Sequence, residues 1–143
     1  MEILHALPDD TDLVYWGWNF DAQAAFEPIP GMSPCATWFG RNPTAQEIPP
    51  FQESATAPTA YRLLRAFGTL CYTITPNGAR RLRQLCIPLR GETYEFPEIR
   101  FRIANAGIDV GICRAMPQIR AFCSFPPLAM SLNEAERSTV KPR

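Results

Sequence analysis

The sequence predicts a mixed α/β domain, and three observations carry that prediction. A strand-like run, Thr69-Leu70-Cys71-Tyr72-Thr73-Ile74, leads through Thr75 and Pro76 into a helical stretch with Ala79, Leu82, Leu85 and Cys86 on one face. Two further apolar runs of strand length occupy residues 13–18 and 119–125. Finally, 143 residues with 46% hydrophobic and 20% charged composition suffice for one core without staples, so 1–143 is read as a single domain.

Taken in order, residues 1–7 place Ile3, Leu4 and Leu7 on one helical face, stopped by Pro8 and the polar cluster Asp9-Asp10-Thr11-Asp12. Leu13-Val14-Tyr15-Trp16-Gly17-Trp18 suits a buried strand, with Gly17 marking a place where another backbone comes close. Between residues 21 and 58 seven prolines, Pro28, Pro30, Pro34, Pro43, Pro49, Pro50 and Pro58, interrupt any period. That segment is read as a long Pro-rich loop, ordered over the domain by Trp38, Phe39 and Phe51. Residues 59–67 fit either a helical turn or the approach to a strand.

In the strand and helix unit that follows, Thr75 is the expected N-cap, Pro76 the first helical residue and Pro88 the stop. Tyr94-Glu95-Phe96 and the alternating Ile99, Phe101 and Ile103 read as short strands or edges. Residues 105–113 fit a helix by length and a buried strand by composition, Gly107 and Gly111 weakening the helix. Residues 119–125 form a strand ended by Pro126-Pro127, and 133–143 are a loose polar tail. No internal repeat is present.

Composition removes several function classes. The 14 basic residues are balanced by 14 acidic ones, so the basic excess of a phosphate-neutralising nucleic-acid binder is missing. Thirteen of the 14 are Arg, the better fork for carboxylates and diphosphates, which hints at anion contacts. Five widely spaced cysteines, Cys35, Cys71, Cys86, Cys113 and Cys123, with one histidine and no Cys-x-x-Cys pair, exclude a zinc site of ordinary spacing. Four of them lie in apolar stretches, as buried free thiols do, which indicates a reducing compartment. No run reaches membrane-spanning length and the first residues lack a signal-peptide pattern, so a soluble cytoplasmic protein is expected.

Few residues suggest chemistry on their own. Asp10-Thr11-Asp12 spells Asp-x-Asp, a pair able to hold Mg²⁺ or Mn²⁺ on a diphosphate, or else a solvated turn. Asp109, between Ile108 and Val110, is either a capping acid or a general base in a cleft. His5 has no partner motif, and with one histidine and no nucleophile elbow around any serine a hydrolytic triad is excluded. Arg80, Arg81 and Arg83 spread around their helix as a solvated face. Tyr15, Trp16 and Trp18 serve core packing or stack on a sugar or base.

The stretch Gly68-Thr69-Leu70-Cys71-Tyr72-Thr73-Ile74-Thr75, followed by Gly78-Ala79-Arg80-Arg81-Leu82, resembles glycosyltransferase family 25, the lipopolysaccharide biosynthesis and collagen galactosyltransferase-like enzymes. That family runs a Gly-Thr-x-x-Tyr-x-Ile-Ser strand into a Gly-Ala-x-x-Leu helix. Leu7-Pro8-Asp9-Asp10-Thr11-Asp12-Leu13-Val14-Tyr15, Asn105-Ala106-Gly107-Ile108-Asp109 and Phe125-Pro126-Pro127-Leu128-Ala129 are similar to its other pieces, in the same order.

The resemblance implies the C-terminal half of a GT-A-like, nucleotide-diphospho-sugar transferase sheet flanked by helices. It implies sugar transfer from a nucleotide-sugar donor to a glycan or lipid-linked acceptor, with Mn²⁺ or Mg²⁺ as cofactor. It places Gly68, Thr69 and Tyr72 at the substrate and makes Asp109 the candidate base. The family's N-terminal half and its acidic metal motif are absent, so no metal site is assigned, Asp10-Thr11-Asp12 aligns with a later turn, and the chain alone is expected to be inactive or weak. Two rival readings stand beside it. One is a non-catalytic glycan- or protein-binding remnant completed by a partner chain at an exposed sheet edge. The other is an unrelated small α/β protein, which an edge position of the strand at 69–74 would favour.

Overall fold

The structure is a computed structural model that describes residues 7–17, 19, 23–38, 40–54 and 56–132. The expected helix end at 1–7, except Leu7, the tail at 133–143, and His5, Trp18 and Phe39 lie outside the described residues. Among the described residues eight strands are interspersed with three α-helices. They are β1 (Leu13–Gly17), β2 (Gln23–Glu27), β3 (Cys35–Trp38), α1 (Ile48–Glu53), β4 (Thr59–Ala66), β5 (Cys71–Ile74), α2 (Pro76–Cys86), β6 (Thr93–Phe96), β7 (Phe101–Ala104), α3 (Ile108–Ala115) and β8 (Ala121–Phe125).

Six strands form one sheet in the order β3-β2-β4-β8-β1-β5, and β6 and β7 form a separate hairpin. β1 and β8 run parallel at Leu13↔Ala121, Val14↔Phe122 and Tyr15↔Cys123; the other pairs are antiparallel. The fold is thus mixed α/β with a mostly antiparallel sheet. β5, which carries the family-like motif, is an edge strand. That edge position counts toward the reading of an unrelated small α/β domain.

Two-residue alternation puts Leu13 and Tyr15 of β1, Ala24 and Phe26 of β2, and Ala121 and Cys123 of β8 into one core, joined by Leu63 and Ala66 of β4, which a register shift opposite Ala25 and Phe26 brings to the same face. Leu82 and Cys86 of α2 and Ile112 and Ala115 of α3 close over it, with Met116 and Ile119 between the last helix and the last strand. A second cluster joins Phe96 and Ile99 of the hairpin segment to Val110 and Cys113 of α3 and Ala25 of β2.

The region 21–58, expected as one loop, instead contains the β2–β3 hairpin and α1. Pro28, Pro30 and Pro34 fall in the turn between the two strands, where no ladder hydrogen bond is lost, so they delimit the hairpin rather than preventing it. Its second half is ordered by Glu47, whose carboxylate accepts from both guanidinium nitrogens of Arg41 (2.7 and 2.8 Å) and from Thr44 N (2.7 Å). Arg41, then Thr44, hold that carboxyl well below its usual range, at about 2. The two segments left open resolve into strand β4 for 59–67 and helix α3 for most of 105–113.

Asp12 is the polar hinge of the fold. Its carboxylate is 1% exposed, accepts from Arg120 N at 2.9 Å and from Asn77 Nδ2 at 3.2 Å, and pairs with Arg81. Its carbonyl accepts from Thr75 N at 3.0 Å, while Arg81 reaches on to the Gln118 carbonyl at 2.6 Å. One residue therefore fastens the starts of β1, α2 and β8. Asp12 is a buried anchor rather than part of a solvated turn, and Arg81 leaves the solvated face to serve it.

Candidate functional site

The strand and helix unit forms as expected: Thr75 Oγ1 accepts from Gly78 N at 3.1 Å, capping α2 behind Pro76. Gly78 is glycine because a Cβ there would run into the carbonyl of Asp12. The Gly-Ala-x-x-Leu segment is thereby explained by close packing on the Asp12 hinge. Gly17 meets its expectation too, since the backbone of Ala129 passes against it.

Tyr15 joins two of the predicted site residues, Gly68 and Tyr72. It is 1% exposed, its hydroxyl donates to the Gly68 carbonyl at 3.1 Å, and its ring stacks on Tyr72 at 5.8 Å between centroids. Burial, followed by the charges of Cys113, Tyr72 and Asp109, pushes its hydroxyl far above the usual range. Gly68 has φ +79, a backbone conformation that glycine adopts freely, and lies against the Asn19 amide. Thr69 is exposed and lines neither cavity described next.

Asp109 is the second residue of α3, where the helix N-terminus favours an acid. Its side chain borders a cleft of about 450 Å³ walled by Trp38, Phe67, Phe101 and Ile103, with Gln23 also lining it. Trp38 is 68% exposed and Phe101 40%, so two exposed aromatic side chains meet at this cleft. Gln23 Oε1 is buried there and has no hydrogen-bond partner among the described residues. Tyr72 faces a different, apolar cavity of about 320 Å³ between β1, β5 and the two longer helices. Gly68 and Tyr72 are therefore neighbours through Tyr15, whereas Tyr72 and Asp109 open onto separate cavities.

Sequence reasoning missed Trp38 and Gln23 as site residues, because both belong to a hairpin hidden among prolines. Trp16, a stacking candidate, instead donates from Nε1 to Thr73 Oγ1 at 2.8 Å across the β1–β5 pair. Among the described residues no group of three or more His, Cys, Asp or Glu side chains converges as a metal site would require. None of the described helices is long and apolar enough to cross a membrane. Comparison with family models, with curated proteins and with solved structures finds no match to this chain.

Proposed function

We propose that this chain recognises a glycan in the cleft bordered by Asp109, as a binding domain related to family 25-like glycosyltransferases. The observation that supports this reading is the joining of three aromatic rings and one carboxylate in a single open cleft. The C–H face of a pyranose ring packs on aromatic surface, and its hydroxyls donate to carboxylate and amide oxygens. The Asp109 carboxylate is an acceptor, which suits hydroxyl donors and disfavours the diphosphate of a nucleotide.

Titration of the folded chain with neutral hexose and N-acetylhexosamine oligosaccharides tests it, read by calorimetry. Saturable binding is expected, weakened about tenfold or more by Trp38→Ala, the usual order for losing an aromatic anchor. Absence of saturable binding to every sugar would remove the reading.

Sugar transfer is the second reading, favoured by the contacts of Gly68 and Tyr72 with Tyr15 and by the place of Asp109 on an open cleft. In that reaction an acceptor hydroxyl oxygen bonds to the anomeric carbon, the carbon–oxygen bond to the diphosphate breaks, and Asp109 takes the hydroxyl proton. A panel of UDP- and CMP-sugars with and without Mn²⁺ separates the two. Donor binding with transfer supports an enzyme, and full transfer by Asp109→Asn would refute the role of Asp109 as base.

A further inference from the structure

The carboxylates, followed one by one, single out Asp109. Among the described residues, those at least partly withdrawn from solvent are Asp12, Glu27, Glu47, Glu98 and Asp109. Asp12 pairs with Arg81, Glu47 with Arg41 and Glu98 with Arg65, while Glu27 accepts from Gly31 N at 3.3 Å. Asp109 differs from all of these. It is half-buried in the first turn of α3, and among the described residues neither a hydrogen-bond donor nor a basic side chain meets its carboxylate. The helix N-terminus favours the charge, but a carboxylate drawn partly out of water still gains from a donor of its own.

Among the described residues lining the cleft of about 450 Å³, Asp109 alone carries a formal charge. The aromatic wall beside it is angled rather than flat: the Phe67 and Phe101 rings stand at 72° to each other with centroids 5.5 Å apart, and Trp38 lies exposed at the same cleft. An acid set among aromatic rings suits an ammonium group. The carboxylate supplies the counter-charge and a charge-assisted hydrogen bond, and ring faces attract a cation through their quadrupole. A neutral hydroxyl gains only an ordinary hydrogen bond there, and an anion would meet the acid with no basic residue on the lining to offset it. The formal charge of the whole chain is zero, so a preference for cations has to come from this cleft and not from a general field.

We infer that the glycan taken by this cleft carries a free amine, an amino sugar in its ammonium form. The inference rests on the reading of the cleft as a glycan site and adds the chemical class of the sugar. The ammonium donates to the Asp109 carboxylate while the C–H face of the same ring lies on the aromatic wall, so one residue of the glycan uses both kinds of surface. Acetylation of the amine removes the charge and leaves an amide that gains little from the acid. The volume of the cleft is in the range of sites that hold small ligands.

Calorimetry of the full chain with β-linked tetrasaccharides of glucosamine, N-acetylglucosamine and glucose tests it, because the three differ only in the group on carbon 2. At a pH where the amine is protonated, the glucosamine oligomer should bind about tenfold more tightly than either neutral one. Asp109→Asn should bring that ratio close to one. If Asp109→Asn fails to fold by circular dichroism, salt carries the test on the parent chain: raising sodium chloride from about 0.05 to about 0.5 M should shrink the ratio several-fold, since it screens the ion pair and leaves ring stacking untouched. Equal affinity for the three oligomers would overturn the amino-sugar assignment and leave the glycan site standing, whereas no binding of any of them would remove both. A ratio unchanged in a folded Asp109→Asn chain would also overturn the assignment. So would a lysine-containing peptide that binds as tightly as the glucosamine oligomer, because the cleft would then take any ammonium group.

Discussion

Replacing Asp12 by alanine should be the most damaging single polar substitution in this domain. It strands the Arg120 N–H and the Asn77 amide beside a space where a carboxylate stood 1% exposed. An orphaned buried donor costs about 1 to 3 kcal/mol. The ion pair adds about 1 kcal/mol, because Arg81 is 41% exposed and solvent screens its half of the interaction. Together these give about 3 kcal/mol. At ~2.1 cal/mol/K of unfolding entropy per residue, 143 residues lose about 10 °C of Tm for that amount. Asp12→Asn keeps one oxygen for Arg120 N–H and Arg81, and the Asn77 amide can turn to meet the new NH₂, so it should lose only about a third as much. Thermal melts followed by circular dichroism give the comparison. If Asp12→Ala melts within about 2 °C of the parent, or if alanine and asparagine cost the same, the hinge assigned to this residue is wrong.

Other expected outcomes follow from the same structure. Gly78→Ala forces a methyl group into the Asp12 carbonyl and should lower stability by about 2 kcal/mol, whereas Gly91→Ala, which meets nothing within 4 Å, should change it by less than about 0.5 kcal/mol in denaturant melts. Burial pushes the thiols of Cys113 and Cys123 up to about 12, while unfolded thiols ionise near pH 8.5. Above that pH the folded chain binds more protons than the unfolded one, so stability falls with rising pH, by up to about 1.4 kcal/mol per unit for each thiol. Cys123→Ala should reduce that slope, and alkaline urea titrations measure it. The exposed Cys35 should react with a thiol reagent in the native state at neutral pH while Cys86, Cys113 and Cys123 react only on unfolding, which a timed alkylation count resolves.

The parts of the fold legible in the sequence are those whose local and tertiary demands agree. Thr75 caps, Pro76 starts and Leu82 and Cys86 bury one face of α2, so propensity and packing point the same way. β1 and β8 are mainly apolar because both of their faces are covered, with Leu13, Val14 and Tyr15 buried in one and Ala121 and Cys123 in the other. The β2–β3 hairpin was hidden for the opposite reason. Gln23-Ala24-Ala25-Phe26-Glu27 has little intrinsic strand preference and is extended because β4 pairs with it, a partner more than thirty residues away. α3 was ambiguous because Gly111 weakens a helix in isolation, yet in the fold the helix forms and packs there against Cys86 and Leu89. Asp109 was legible as an acid amid apolar neighbours, whereas the aromatic wall opposite it comes from segments that no spacing rule connects. Asp12 was misjudged for a simple reason: its four neighbours in sequence are polar or at the strand start, and its partners at 77, 81 and 120 become visible only when three elements meet.

The pairing of β1 with β8 has a consequence for the order in which this chain can acquire its structure. The Arg120 N–H and the Asp12 carboxylate that meet beside that pair are separated by 108 residues of sequence. Loop closure over such a distance precedes any gain from the contact, so assembly of the sheet centre is expected to be the slow step and to come late. During synthesis β2, β3 and β4 can emerge and pair locally and β5 can pair with β1, but the other flank of β1 stays open until β8 leaves the ribosome. Until then the apolar runs at 13–17 and 59–66 are exposed strands without their neighbour, the interval in which a nascent chain of this topology depends most on chaperones.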